Sequence, residues 1–197
     1  MMTNKTALII ASDGSEDIEL IITSDVLRRA GIIVTIAGLQ DRAQIELARK
    51  AKLQVDALFR DVLDKQYDAV VLPGGQPGSD NLAADPRVGT VLRAHEKAGA
   101  IVAAICAAPI AFVAHQIGVG GVLTSYPSVQ KTITDAGYTY SDQHKVCVHK
   151  NMVTSRGPGT AFDFALKLVE LLVDIGKAGE IRRGDAARLR LIGGADH

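Results

Sequence analysis

The sequence predicts an α/β fold with a mostly parallel central sheet and helices on both of its faces. The first observation is that short apolar, β-branched runs alternate with helical patterns, which is typical of consecutive βαβ units. The second is that these runs, such as Ala7–Ser12, do not alternate polar with apolar residues. Strands of that kind are buried on both sides, as they are in a parallel sheet covered by helices.

In the first half of the chain, the predicted strands are Ala7–Ser12, Ile32–Ala37 and Asp68–Leu72. A helix is predicted over Glu16–Ala30, because its apolar residues recur at helical spacing, and Gly31 is expected to end it. Between residues 40 and 66 the pattern indicates only short strand-like pieces, around Ile45 and Leu53.

In the second half, the predicted strands are Ala100–Ile105, Val122–Thr124 and Cys147–Val148. The predicted helices are a stretch through Val88 and His95 that stops near Gly99, then Ala107–Ile117, Pro127–Ala136 and about Thr160–Ile175. The tail after Gly176 is interpreted as a solvated helix face or a frayed end, and its arginines are Arg182, Arg183, Arg188 and Arg190. Since no repeat or linker divides the chain, residues 1–197 are expected to form a single domain.

Composition narrows the classes of function. The 197 residues include 22 basic and 22 acidic side chains, and only 4% are aromatic, with no Trp. Neither a positive field nor a base-stacking surface is therefore expected, and nucleic acid is not a predicted partner. The apolar stretch Ala7–Ala11 is too short for a signal peptide or a membrane span, and two cysteines are too few for a disulfide scaffold. We therefore expect a cytoplasmic protein that does not bind membranes.

Chemistry-bearing residues lie where three of the predicted strands end. The first strand is followed by Gly14–Glu19, the third by Pro73–Gly78, and the next by Cys106–Pro109. Ligands of open α/β sheets bind at the carboxyl ends of the strands. The sequence therefore predicts a functional site at this edge of the sheet.

Cys106 is the candidate nucleophile of that site. It follows a buried strand directly and has small alanines around it, as the sharp turn of a nucleophile elbow requires. A helix N-terminus favours the thiolate, so a lowered pKa is predicted for Cys106. The alternative is a small buried core residue, because free cysteine is among the most buried residue types. Cys147 is expected to be a strand residue without a role.

A carboxylate and backbone donors complete the predicted site. Gly74 and Gly75 would let backbone N–H groups approach an oxyanion closely, although a plain tight turn also explains them. Glu16 and Asp17 are explained by stabilisation of the helix N-terminus, whereas Glu19 lies deeper and is the candidate pocket acid. The histidines show no metal-ligand spacing, so no metal or other cofactor is predicted.

Together these residues resemble the ThiJ/PfpI superfamily, most closely the branch of the parkinsonism-associated protein deglycase. The resembling segments are Gly14–Glu19, Arg28–Gly31, Val70–Gly78, Ala103–Pro109 and Thr154–Thr160. The resemblance implies a flavodoxin-like sandwich and a homodimer. It also implies a cofactor-free glyoxalase that turns methylglyoxal into lactate, or a protein deglycase, active in oxidative-stress protection. The implied substrates are small dicarbonyls, or early glycation adducts of proteins and amino acids. The alternative it leaves is a redox-sensing chaperone switched by oxidation of Cys106.

The same resemblance assigns roles to single residues. It implies that Cys106 is the reactive cysteine and that Glu19 hydrogen-bonds it. The backbone donors to an oxyanion are Gly75 and Ala107. Two arginines match family arginines near the dimer interface and the pocket, Arg29 and Arg49. Because the thiolate and the carboxylate would repel each other, Glu19 is expected to be protonated when Cys106 is ionised.

The chain also departs from the family. Tyr126 stands where a histidine is common near the reactive cysteine, and a phenol mainly donates hydrogen bonds near pH 7. Leu47 and Gln54 replace two frequent cysteines, so those oxidisable thiols are absent. A PfpI-type peptidase needs a histidine directly after the cysteine, where Ala107 stands here. The His-x-Glu pair of a glutamine amidotransferase is missing as well, so both of those activities are disfavoured.

Overall fold

The computed structural model describes residues 5–192 and the side chains of residues 5–184. Its strands are β1 (Thr6–Ala11), β2 (Ile33–Gly38), β3 (Gln44–Glu46), β4 (Lys52–Gln54), β5 (Ala57–Leu58), β6 (Ala69–Leu72), β7 (Ile101–Ile105), β8 (Val122–Leu123), β9 (Thr139–Tyr140), β10 (Val146–His149) and β11 (Met152–Ser155). Its helices are α1 (Asp17–Arg29), α2 (Gly78–Ala84), α3 (Pro86–Lys97), α4 (Pro109–His115), α5 (Gln130–Asp135), α6 (Ala161–Leu172) and α7 (Ile175–Ile192).

Seven strands form the central sheet, in the order β10-β11-β7-β6-β1-β2-β5. All neighbours are parallel except β10, which runs antiparallel to β11 at the edge. Helices α1, α6 and α7 pack together, and α2, α3 and α4 form a second group. The predicted α/β fold with a mostly parallel sheet between helices is confirmed. Because the sheet is covered by helices, β6 and residues 7–11 of β1 are buried along their whole length.

Helix α1 shows why the predicted elements form. Leu20, Val26 and Leu27 lie on its buried face, whereas Ile18 and Ile21, which belong to the apolar spacing that predicted the helix, are exposed. The helix ends where the sequence indicated, because Gly31 adopts a left-handed φ of 81°, which glycine takes without steric cost. Among the helices of residues 5–192, none is both long enough and apolar enough to cross a bilayer.

Several predicted helices begin or end at other residues than the sequence indicated. The helix expected over Ala107–Ile117 begins only at Pro109, because Cys106 has a left-handed φ of 65° and the chain turns before helical geometry starts. The helix expected over Pro127–Ala136 is a 3-10 turn followed by α5. Helix α6 ends at Leu172, because Val173 leaves the helical region with φ −117° and ψ −84°. Helix α2 was not predicted from the sequence.

The tail after Gly176 belongs to α7 as far as Ile192. Arg182 and Arg183 are exposed on this helix, as expected of a solvated face. The side chains of Arg188 and Arg190, together with residues 193–197, lie outside the described part of the chain.

The strand-like pieces around Ile45 and Leu53 form an antiparallel hairpin of β3 and β4. The hairpin is held against the loop after β1 by two backbone hydrogen bonds. Gly14 N–H donates to the Glu46 carbonyl at 2.8 Å, and Ala48 N–H donates to the Ser15 carbonyl at 2.9 Å. These bonds place the hairpin beside the carboxyl end of β1.

Candidate active site

The three predicted strand ends meet because β1, β6 and β7 are neighbours in the middle of the sheet. The loop after β1 leads into α1 and Glu19, the loop after β6 contains Gly74 and Gly75, and β7 runs directly into Cys106. All three strands are parallel, so these loops leave the sheet at the same edge. Segments far apart in sequence thus contribute to one site.

Cys106 is held in an uncommon backbone conformation. Its φ of 65° lies in the left-handed region, which costs a residue with a side chain free energy unless neighbours enforce it. Its N–H donates to the Ser155 carbonyl at 3.0 Å, and its carbonyl accepts from Tyr126 N–H at 2.7 Å. The thiol is buried, with 9% of the residue exposed. This sharp turn between β7 and α4 corresponds to the nucleophile elbow that the sequence indicated.

Glu19 is completely buried, and its carboxyl group faces the thiol. Its Oε2 accepts a hydrogen bond of 2.8 Å from Gly74 N–H, and the carboxyl lies beside the Cys106 thiol, close enough for each group to shift the pKa of the other. Backbone N–H groups of Gly75 and Ala107 lie near the same sulfur and lower its pKa. The structure therefore brings together all four residues for which the sequence suggested catalytic or oxyanion-binding roles.

Burial controls protonation of this pair. It raises the pKa of Glu19 from 4.5 to about 7, against the lowering effect of the Gly74 hydrogen bond. Burial, and next the charge of Glu19, raise the pKa of Cys106 to about 12, although Gly75 and Ala107 N–H groups act in the opposite direction. The predicted lowering of the Cys106 pKa is therefore wrong for the thiol beside an ionised Glu19. The physical reason is that Cys106 precedes α4 by three residues and lies in a poorly solvated turn.

The Gly75 turn is compatible only with glycine. Its φ is 87°, and a Cβ there would lie 2.4 Å from the Gly14 carbonyl oxygen and 2.5 Å from the Glu16 nitrogen. The loop after β6 can therefore pack against the loop after β1 and still aim its N–H at Cys106. The tight-turn and oxyanion-donor interpretations of this glycine are compatible with each other.

A cavity of about 320 Å³ opens beside the sulfur. It is lined by Glu16, Ala48, Arg49, Gly75, Gln76, Cys106, Ala107, Tyr126, Ser128 and Pro158. Tyr126 is half exposed, and Arg49 lies 3.6 Å from the Glu16 carboxylate. Of the residues suggested for the pocket, Tyr126 and Arg49 thus border it.

Arg29 does not border this cavity, which corrects its assignment as a pocket residue. It lies in the last turn of α1, where its guanidinium binds Asp25 at 2.7 Å. Ten residues of helix separate it from Glu19, a distance of roughly 15 Å along the axis. The same helix therefore carries these two residues to opposite ends.

Sequence reasoning missed five lining residues, and one of them, Ala48 between β3 and β4, carried no sequence signal. Glu16 was explained as a helix-terminal acid, but its carboxylate is buried beside the cavity. Gln76 and Ser128 carried no sequence signal that distinguished them from turn residues. Pro158 lies in the Ser-Arg-Gly-Pro-Gly-Thr run, whose unusual composition was the available signal.

Neither histidines nor the second cysteine add to this site. Among the described side chains, those of residues 5–184, no three His, Cys, Asp or Glu groups lie together so that they could hold a metal ion. Cys147 lies in β10, and its thiol donates to the Val122 carbonyl at 3.5 Å. Burial raises the pKa of Cys147 as well.

Comparison with known proteins places this geometry in a family. The DJ-1/PfpI family matches residues 5–171. The chain belongs to this family. It is 42% identical over 181 residues to protein dj-1beta of Drosophila melanogaster, covering 92% of this chain and 96% of that protein. The crystal structure of that DJ-1beta superposes with a TM-score of 0.90, covering 92% of this chain and 97% of that one.

Two other DJ-1 relatives bear on function. A Caenorhabditis elegans protein named glutathione-independent glyoxalase DJR-1.2 is 40% identical over 173 residues, covering 87% of this chain and 91% of its own length. A solved structure of oxidized Toxoplasma gondii DJ-1 is 32% identical, with a TM-score of 0.84 and coverage of 94% and 97%. The DJ-1 family thus includes a protein named as a glyoxalase, and the fold is shared across it.

Proposed function

We propose that this protein is a cysteine-dependent, glutathione-independent glyoxalase, which also removes early glycation adducts by the same attack. The observation that carries the proposal is the buried Glu19–Cys106 pair, with Gly75 and Ala107 N–H groups directed at the sulfur. A nucleophile, a proton carrier and two anion donors are the groups that an aldehyde isomerisation requires. The relative named as a glyoxalase supports this assignment.

In the first step, the sulfur of Cys106 adds to the aldehyde carbon of methylglyoxal. The proton of the thiol passes to Glu19 as the sulfur attacks, and the raised pKa of Glu19, about 7, makes this carboxylate able to accept it. The aldehyde oxygen becomes the oxyanion of a hemithioacetal, and the Gly75 and Ala107 N–H groups stabilise it. Protonation of that oxygen by Glu19 leaves the carboxylate free to act as a base.

In the second step, Glu19 removes the proton from the former aldehyde carbon and returns it to the neighbouring carbon. The enediol formed in between becomes a thioester of lactate. Water then cleaves the thioester, which releases lactate and restores the thiol. A pKa near 7 suits this shuttle, because both forms of the acid are then available at neutral pH.

Small glycation adducts fit the same chemistry. An aminocarbinol formed from methylglyoxal and an amine reacts with one water to give the free amine and lactic acid. The C–N bond breaks, and the amine leaves with a proton that Glu19 is placed to supply. The cavity of about 320 Å³ leaves room for such an adduct.

We also propose that the protein acts as a cytoplasmic homodimer of single-domain subunits. Ile18 and Ile21 are 47% and 45% exposed on one face of α1, next to the turn that holds Glu19. Two such faces could cover each other. Sedimentation equilibrium tests this, since Ile21→Glu should shift a dimer toward monomer and a wild-type monomer would contradict the proposal.

Lactate production from methylglyoxal tests the enzymatic proposal. Wild type should form lactate without glutathione, Cys106→Ser should form none above background, and Cys147→Ser should retain the wild-type rate. Equal rates in wild type and Cys106→Ser would refute cysteine-dependent catalysis.

A redox-sensing chaperone is the second candidate function. It is favoured by the hydrogen-bond donors around the sulfur, which suit an oxidised cysteine, and by the existence of an oxidized structure of the Toxoplasma relative. Suppression of aggregation of a client protein, measured before and after peroxide, tests it. An effect of peroxide that persists in Cys106→Ser would contradict a switch at this cysteine.

A further inference from the structure

The segment from Ser155 to Thr160 follows β11 and has no part in the chemistry above. It meets the Cys106 pocket at two points. The carbonyl of Ser155 accepts a hydrogen bond of 3.0 Å from Cys106 N–H, and Pro158 lines the cavity beside the sulfur. The segment therefore contacts the backbone of the turn at Cys106 and also borders the space that a substrate would enter.

Gly157 and Pro158 form one side of that cavity, which we call the Pro158 wall. A Cβ built on Gly157 would lie 3.3 Å from Cδ2 of Tyr126, so the backbone of the wall packs closely against the Tyr126 ring. The Tyr126 side chain borders the same cavity. The position of the Pro158 wall therefore helps to set the width of the cavity beside Cys106.

Two hydroxyl groups hold the Pro158 wall in place. Gly157 N–H donates to Oγ1 of Thr160 at 3.1 Å, and this oxygen lies 2.7 Å from Oγ of Ser155. The Ser155 hydroxyl in turn donates to the carbonyl of Lys145, one residue before β10, at 2.7 Å. Ser155 is completely buried, so loss of a partner would leave its hydroxyl without water to replace it.

Counting protons gives this chain of hydrogen bonds one direction. A hydroxyl group has one proton to donate. The proton of Ser155 goes to the Lys145 carbonyl, so the proton between the two hydroxyls comes from Thr160. The Gly157 carbonyl lies 2.9 Å from Thr160 Oγ1 but does not need that proton, because it already accepts the backbone N–H of Thr160 at 2.9 Å. Hydrogen bonds aligned in one direction polarise and strengthen each other.

From these contacts we propose that the hydroxyl pair of Ser155 and Thr160 fixes the Pro158 wall and thereby limits the size of the aldehyde that can reach Cys106. Neither of the two residues lines the cavity, so both are positioning residues that act through Pro158. The inference rests on the proposed function and adds a size limit to its substrates. Oxoaldehydes with a compact substituent, such as methylglyoxal, are favoured over bulky ones.

The first test compares the rates at which Cys106 reacts with a small and a bulky alkylating reagent, iodoacetamide and iodoacetanilide, in protein that also carries Cys147→Ser. Both reagents attack the same sulfur, so the ratio of their rates does not depend on the thiolate fraction. Thr160→Val keeps the branched shape and removes the hydroxyl. The wall should then loosen, and the bulky reagent should gain about tenfold relative to the small one. Thr160→Ser restores the hydroxyl and should return the ratio to that of wild type.

Ser155→Ala removes the same chain of hydrogen bonds from its other end and should change the ratio in the same direction. Combining it with Thr160→Val should add little, because both substitutions break one network. The matched control is Thr90→Val on the exposed side of α3, where the hydroxyl donates to the Pro86 carbonyl at 3.2 Å. It should preserve the wild-type ratio. Wild-type ratios in either Thr160→Val or Ser155→Ala would overturn the positioning role.

The second test measures kcat/KM for methylglyoxal and for tert-butylglyoxal, which has a bulkier substituent. Wild type should prefer methylglyoxal, and Thr160→Val should reduce this preference, whereas a general loss of folding would lower both values by the same factor. An unchanged preference would overturn the size limit. Absence of lactate formation in wild type would instead refute the proposed function, and the alkylation ratio would still report on the wall, so the two failures are distinguishable.

Discussion

The backbone N–H of Gly74 donates a 2.8 Å hydrogen bond to Oε2 of Glu19, across 55 residues of sequence. This bond fixes one carboxyl oxygen and leaves the other without a nitrogen or oxygen partner among the described residues. Since the thiol of Cys106 lies beside the same carboxyl, the loop after β6 orients the acid toward this thiol. The position of Gly74 is as much a part of the site as the two side chains.

Gly74→Ala should therefore damage the site directly. A Cβ would lie 2.4 Å from the Cβ of Cys106, 2.6 Å from Oε2 of Glu19 and 2.7 Å from the Ile105 carbonyl oxygen. We expect a loss of about 1–3 kcal/mol in the free energy of unfolding, and a fall in kcat, because the chain must shift to relieve these contacts. Urea unfolding and lactate assays measure both quantities.

The matched control is Gly184→Ala in α7, where a Cβ would meet no heavy atom within 4 Å. Alanine there should keep activity and add up to about 1 kcal/mol of stability through helix propensity. Similar losses in both variants would show that the Gly74 contacts do not decide the effect.

The pH dependence of catalysis should follow Glu19. Below its pKa of about 7 both groups of the pair are protonated and no nucleophile forms. Above it the pair holds one proton, so the thiolate with protonated Glu19 becomes accessible until the second proton leaves toward pH 12. We expect kcat/KM on methylglyoxal to rise as the pH increases through about 7. In Glu19→Gln this rise should be absent from the pH profile. A pH-independent kcat/KM between pH 5 and 9 would contradict this pairing.

The free energy of unfolding should also depend on the titration of Glu19, but it should fall as the pH rises, whereas kcat/KM increases. The folded pKa of Glu19 is raised from 4.5 to about 7, so its contribution is fully present below pH 4.5 and is lost as the pH rises through 7. At 1.36 kcal/mol for each pKa unit, this shift contributes about 3 kcal/mol to the free energy of unfolding. Relative to Glu19→Gln, the wild-type free energy of unfolding should fall by that order between pH 4.5 and 7.5. Glu180→Gln, an exposed acid on α7, should not change the wild-type dependence.

Sequence patterns predicted the sheet and the turn at Cys106 well, because both rest on local composition. Continuous apolar runs identified β1 and β6, and the alanines around Cys106 identified the turn after β7. Glu19 was singled out because it follows Glu16 and Asp17 along the chain, and it lies in the first turn of α1. These signals need no knowledge of distant contacts.

The parts that failed depend on tertiary packing. The raised pKa of Cys106 comes from burial and from Glu19, which is far away in sequence. Glu16 borders the cavity only because the β1 and β6 loops lie side by side. Arg29 was misplaced because the sequence motif does not show how far a helix carries a residue from the pocket.

Oxidation should be selective for Cys106. Mild peroxide should add two oxygens to this thiol, because Gly75 and Ala107 N–H groups and a protonated Glu19 can donate to the sulfinate. Peptide mass spectrometry locates the oxygens. Cys147, whose thiol donates only to the Val122 carbonyl, should remain reduced. Glu19→Asp should change the distribution of oxidation products, because the shorter side chain cannot keep the same distance from the carboxyl group to Cys106. Oxygens found mainly on Cys147 would exclude the sensor mechanism.

Tyr126 offers the sharpest test of the single-acid mechanism. Its backbone N–H donates to the Cys106 carbonyl, and its half-exposed ring borders the cavity. Its hydroxyl makes no hydrogen bond among residues 5–184, whose side chains the structure describes. General acid–base assistance contributes about 10²–10⁴-fold, so a site with Glu19 as its single acid–base group should be a slow glyoxalase. Tyr126→His should raise kcat on methylglyoxal by about tenfold or more by restoring a group that exchanges protons near pH 7. Tyr126→Phe keeps the ring and the backbone bond, so its kcat should stay near that of wild type. A marked loss of kcat in Tyr126→Phe at unchanged KM would show that the phenol takes part, and Glu19 could then no longer be the single proton carrier.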